Sequence, residues 1–207
     1  MLLCAIDPGY TESHAVLFNS GDPVGGPPGV RRAWTLPNEE LLESLRWDLQ
    51  KQADLILIES MDPFGLRLGR ETMDTILWIG RFQEAGHAEL LPRSVVKMTL
   101  CGNRKADDSS IRRVLIDRLG KPGTKKEPGP TYGVSSHRWQ ALAVAVAWLE
   151  VNRYPIGGDA PRDRTSDLTG SATSNPAPGA AEVPGATQPP AQPALQFEEE
   201  KDGCPNE

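Results

Sequence analysis

The chain has 207 residues, 22 Lys/Arg against 28 Asp/Glu for a formal net charge of −6, 38% apolar residues and three cysteines. That length supports one sizeable core, and cysteines odd in number and scattered (Cys4, Cys101, Cys204) argue against a disulfide framework or a cysteine–zinc site. No apolar run approaches the roughly 20 residues of a membrane-spanning helix, and Met1-Leu2-Leu3-Cys4 lacks the basic start of a signal peptide, so no membrane contact and a cytoplasmic location are expected.

In chain order, Leu2 to Ile6 reads as a central strand stopped by Pro8-Gly9, and His14 to Phe18 as a second strand after a small turn. Residues 20–30 are a Gly/Pro loop, and Arg31 to Leu36 completes a three-strand meander. Asn38 caps a helix to about Gln52, with Leu41, Leu42 and Leu45 on one face. Asp54 to Glu59 is an apolar strand of the kind buried in a parallel sheet. A helix over Thr72–Ala85 carries Met73, Ile76, Leu77 and Phe82 at helical spacing, and Gly86 stops it. His87 to Leu91 is a fifth strand ended by Pro92. Asp107 or Ser109 caps a helix to Leu119, a basic Gly/Pro loop spans 121–133, and Ser135 or Ser136 opens a last helix to about Val151. Leu142, Val144, Val146 and Leu149 of that helix face the sheet.

The composition changes near Tyr154. Pro, Gly, Ala, Ser and Thr dominate after it, and the end is acidic, so the reading is a folded domain over 1–153 and a disordered tail over 154–207. The tail holds three of the basic and nine of the acidic residues, which leaves the domain near neutral. Within Arg93–Arg138 eleven basic residues face only four acidic ones, a local positive field suited to phosphate.

Two apolar strands each end on one carboxylate, Asp7 and Glu59. A buried charge needs a partner or a metal, and two such strands side by side would aim both acids at one spot, the arrangement of a divalent-metal site for phosphodiester chemistry. Simpler roles stand beside this one. Asp7 before Pro-Gly suits a turn, Glu59 could pair with Arg67 or Arg70, and Asp62 and Asp74 read as a loop residue and a solvated helix face.

Four segments in order, Ile6-Asp7-Pro8-Gly9, Ile58-Glu59, Val96-Lys97-Met98-Thr99 with Gly102, and His137 with Ala141-Leu142-Ala143, resemble the RuvC-type Holliday junction resolvases of the ribonuclease H-like superfamily, in a phage-like version. The resemblance implies an α/β fold, a mixed five-stranded sheet of a three-strand antiparallel meander plus parallel strands, flanked by helices. It implies a homodimer that cleaves branched DNA with Mg²⁺ or Mn²⁺, two ions per site, and Asp7, Glu59 and His137 as catalytic and metal-binding residues. The family's second acid in the last helix is replaced here by Gln140, an oxygen without charge. Asp107 and Asp108 are candidates to restore that charge, with Asp108 standing where relatives carry a basic residue.

Phosphate and base contacts are expected from Phe64, Lys97, Arg104, Lys105, Arg112, Lys125, Lys126 and Arg138. Gln192 to Phe197 has the Gln-x-x-Leu-x-Phe spacing of peptides that dock on sliding clamps. The rival readings are a branched-DNA-binding module with weakened catalysis, and a ribonuclease H-like nuclease acting on flaps or RNA–DNA hybrids.

Overall fold

The computed structural model describes residues 1–21, 26–62 and 69–154; Phe64, Arg67 and the Gln192–Phe197 peptide lie outside the described residues. Strands β1 (Leu2–Asp7), β2 (Glu12–Asn19) and β3 (Gly29–Pro37) form an antiparallel meander. β1 also pairs in parallel with β4 (Leu55–Ser60), and β4 in parallel with β5 (Glu89–Pro92), giving the order β3-β2-β1-β4-β5. The mixed five-stranded sheet is the one expected. Its two central strands, LLCAID and LILIES, are apolar almost throughout because both faces are covered.

Side chains alternate across these strands and build two cores. Leu3, Ala5, Val16, Phe18 and Leu57 face helices α4 (Arg93–Cys101), α5 (Asp108–Leu119) and α6 (Arg138–Val151). Cys4, Ile6, Ala15, Leu17, Ile56 and Ile58 face α1 (Asn38–Ser44) and α3 (Arg70–Gly86). Burial of Cys4 pushes its thiol up to about 12, which makes it an inert core residue. α6 is buried from Trp139 to Leu149, more completely than a one-faced helix requires, because α4 and α5 cover the side turned away from the sheet. Among the described residues no helix is long and apolar enough to cross a membrane.

Several boundaries and faces differ from the sequence reading. The first helix passes from α1 through a π-helical turn (Leu45–Leu49) into the short α2 (Gln50–Gln52). Asn38 is its first residue rather than its cap, and its buried side chain is engaged elsewhere. α4 was not expected: Pro92 reads as a stop, yet in extended conformation it serves as the residue that opens this helix. α6 begins at Arg138, two to three residues later than expected, since Ser136 adopts a left-handed backbone with φ 50°. On α3 the buried stripe is Thr75, Ile79, Phe82, Ala85 and Gly86, whereas Met73, Ile76 and Leu77 point to solvent. Of the four apolar positions expected on one face, only Phe82 is buried.

Candidate active site

Strand register sets one transverse row of side chains on the α6 face. Thr35 pairs with His14, His14 with Asp7, and Glu59 with Leu91. The β1–β4 pairs Ala5–Leu57 and Ile6–Ile58 make Glu59 the next partner of Asp7. Both acids thus emerge at the carboxyl ends of adjacent parallel strands, the edge where open α/β sheets bind ligands.

The turn that follows Asp7 is pinned from behind. Asn38 donates from Nδ2 to the Gly9 carbonyl (3.0 Å) and accepts from Ser13 Oγ (2.7 Å), and its backbone N–H reaches Thr11 O (3.1 Å). Gly9 is required here, because a Cβ on it would stand 2.3 Å from the Glu12 carbonyl oxygen.

Asp7 and Glu59 are both buried, and their carboxyl groups lie in side-chain contact with each other. Burial raises the pKa of both, and in Glu59 the charge of Asp7 adds to the rise. Arg93 opposes this through a 2.8 Å bridge from Nη1 to Glu59 Oε2, and its Nη2 reaches Asp108 Oδ1 at 3.0 Å. Burial and the neighbouring Asp7 charge outweigh the partly exposed Arg93 guanidinium, and the Glu59 pKa stays raised. The nearby acids Glu59, Asp7 and Asp108 in turn raise Arg93 against the effect of its own burial.

His137 precedes the first turn of α6, exposed, with its ring stacked on His14 at 5.1 Å between centroids. His14 Nδ1 lies 2.8 Å from Thr35 Oγ1. Burial, followed by the neighbouring His137, lowers the His14 pKa. His137 thus stacks on the residue that is Asp7's partner across β1 and β2. Among the described residues no three His, Cys, Asp or Glu side chains converge closely enough to hold an ion by themselves.

Other oxygens complete the surroundings. Gln140 is 3% exposed, and its Oε1 is buried with no hydrogen-bond partner among the described residues. Such an orphaned acceptor costs about 1–3 kcal/mol, and a cation or its bound water would satisfy it. Two adjacent buried carboxylates are the hard oxygen donors that Mg²⁺ or Mn²⁺ takes, so the acid pair fits such an ion. Asp107 is spent otherwise. Its Oδ1 caps α5 through Ser110 N (2.9 Å), and bonds from Ser110 and Ser109 hold its pKa down to about 2. Asp108 is turned toward Arg93 instead.

A groove of about 570 Å³ opens beside this cluster, lined by Asp108, Ser109, Arg112, Arg113, His137 and Gln140 among others. Arg112 lies over the Trp139 ring at 5.3 Å. Arg104, Lys105, Lys125 and Lys126 are exposed and Lys97 is half-buried on α4. Arg138 is partly exposed and also has partners within the fold. Its guanidinium bonds to the Ala33 carbonyl (3.3 Å) and to Ser135, tying α6 to β3.

Asp62 is more than a loop residue, since its Oδ2 accepts from Ser94 N at 3.0 Å in the first turn of α4. Asp74 sits 3.9 Å from Arg70 on a solvated helix face, as read. The sequence reading missed Arg93, His14, Arg113 and Asn38.

No protein-family model matches the chain, and no curated protein matches it. Among solved structures, Thermus thermophilus RuvC is 15% identical and covers 76% of this chain and 99% of its own, with a TM-score of 0.52. T. thermophilus RuvC in complex with Holliday junction substrate is 17% identical over 76% of this chain and 98% of that one, with a TM-score of 0.54. The fold is RuvC-type. In this fold Asp7 and Glu59 stand at the carboxyl ends of two adjacent strands, β1 and β4.

Proposed function

We propose that this chain is a divalent-metal-dependent endonuclease that cleaves branched DNA such as Holliday junctions. The observation that carries the reading is the meeting of Asp7 and Glu59, far apart in sequence, as a buried acid pair beside a groove edged by Arg112 and Arg113. A buried like-charge pair is unfavourable for folding alone, and a cation turns it into a favourable one. The RuvC-type fold, seen elsewhere with a Holliday junction substrate, supports the substrate class.

In this reading Asp7, Glu59 and the Gln140 amide oxygen hold the cation, and Asp108 borders it. When bound, the ion would polarise the scissile phosphate and lower the pKa of an attacking water. A bound cation would favour the charged form of both acids. His137, held by its stack on His14, accepts a proton from the water as its oxygen bonds to phosphorus. The P–O3′ bond breaks with its electron pair on O3′, which takes up a proton, leaving a 3′-hydroxyl and a 5′-phosphate. Arg112 and Arg113 hold backbone phosphates without reading sequence.

A two-fold partner belongs to the same proposal, since paired cuts need two equivalent sites. The outer stripe of α3 supports it: Met73 (52% exposed), Ile76 and Leu77 (62%) run toward Gly80, where nothing lies within 4 Å of an added Cβ. Residues 1–153 carry the nuclease, and the clamp-type peptide Gln192–Phe197 lies beyond them in sequence. The test is cleavage of a synthetic four-way junction with Mg²⁺ or Mn²⁺, beside flaps and RNA–DNA hybrids. Junction cutting that Asp7→Asn abolishes while binding persists supports the assignment. Undiminished cutting by that variant refutes it.

A further inference from the structure

The nuclease reading leaves one prominent group without a task. Arg93 opens α4 directly after β5, and its guanidinium enters the acid cluster rather than the solvent. It spans two carboxylates on different elements, Glu59 on β4 at 2.8 Å and Asp108 on α5 at 3.0 Å. Asp7 is also within its field. A second divalent ion beside Asp7 would need these same oxygens. Three acids and one guanidinium leave two net negative charges, the complement of one divalent ion. The uncharged Gln140 adds a donor without changing that balance.

Resting on the proposed nuclease site, we propose that the Arg93 guanidinium takes the place of a second divalent cation, so that each chain binds one ion and uses a fixed positive charge for the other role. The geometry suits that role. Arg93 keeps 35% of its side chain exposed, and a guanidinium has five N–H donors, of which the two bridges occupy only a part. The exposed part of the guanidinium leaves donors for a phosphate oxygen or a leaving O3′ that needs charge. Arginine is the side chain that binds phosphate in a planar, paired manner. Asp108, the more exposed of its partners, is the one the guanidinium exchanges for substrate.

The test is Mn²⁺ stoichiometry of the full chain, by calorimetry and by electron paramagnetic resonance. The wild type binds one Mn²⁺ per chain, and Asp7→Asn binds none at the same concentration. Arg93→Met frees Glu59 and Asp108 and raises the count to two, whereas Arg93→Lys keeps it at one. Adding Asp108→Asn to Arg93→Met returns it to one. Two ions on the wild type overturn the inference while leaving the metal-dependent nuclease intact. A count of one in a folded Arg93→Met, checked by circular dichroism, also overturns it. Absence of Mn²⁺ from every form removes the metal reading and this inference together.

Discussion

Replacing Asp7 by Asn should make the metal-free protein more stable while removing its activity. Asp7 and Glu59 are 9% and 6% exposed and in hydrogen-bond contact, so they lie within about 4 Å of each other. Two full charges at that distance repel by about 4 kcal/mol at an effective dielectric near 20. Arg93 offsets roughly half of this, and proton sharing lowers it further, which leaves about 1–2 kcal/mol. The sign with pH follows from the raised pKa of both acids in the folded state. Their contribution to stability is full below the unfolded carboxylate values near pH 4 and is lost as pH rises through the folded ones. Asn mimics the protonated acid, so the gain should be small at pH 4 and complete at pH 8. For a chain of this size it amounts to a rise of about 3–8 °C in Tm. Thermal melts followed by circular dichroism in EDTA at both pH values measure it, and added Mn²⁺ should raise the wild type alone. An Asp7→Asn protein that melts no higher than wild type at pH 8, or gains equally at both pH values, would refute the reasoning.

The other expectations concern the supports of the site. Gly9→Ala should cost about 1–3 kcal/mol, since its Cβ meets the Glu12 carbonyl oxygen, and junction cleavage should fall with it; chemical denaturation beside a cleavage assay reads both. Ser136→Gly should stabilise the fold by about 0.5–1 kcal/mol by relieving a left-handed non-glycine residue, and an unchanged denaturation midpoint would show that the strain is absent. Leu77→Glu should turn a dimer into a folded monomer by light scattering; equal masses for the two proteins would dismiss the α3 interface.

What could be read from the chain follows from how local each signal is. β1 and β4 were legible because an unbroken apolar run has one structural use at that length, and the terminal acids stood out against it. The sheet order followed from the meander and the parallel additions. α4 was obscured by Pro92 before it and by Val95-Val96 within it, both of which look strand-like. The face of α3 was misjudged because its buried stripe includes Thr75, Ala85 and Gly86, less apolar than Met73, Ile76 and Leu77 outside. Asn38 looked like a cap, the commonest use of Asn before a helix, while its true partners lie 25 and 29 positions earlier. Arg93 and His14 acquire meaning only from strand pairing, which no window of sequence encodes.

The transverse row from Thr35 to Glu59 makes the chemistry of this protein depend on counting. In a strand each neighbour points the opposite way, so adding one residue between α2 and β4 would set Ile58 against Asp7 and turn Glu59 toward α1 and α3. Shortening the turn after Gly9 by one residue would likewise swap the imidazole beside Asp7 for the methyl of Ala15. Insertions are thus tolerable in the long loops that leave the row alone, whereas the short connections near it behave as reading frames.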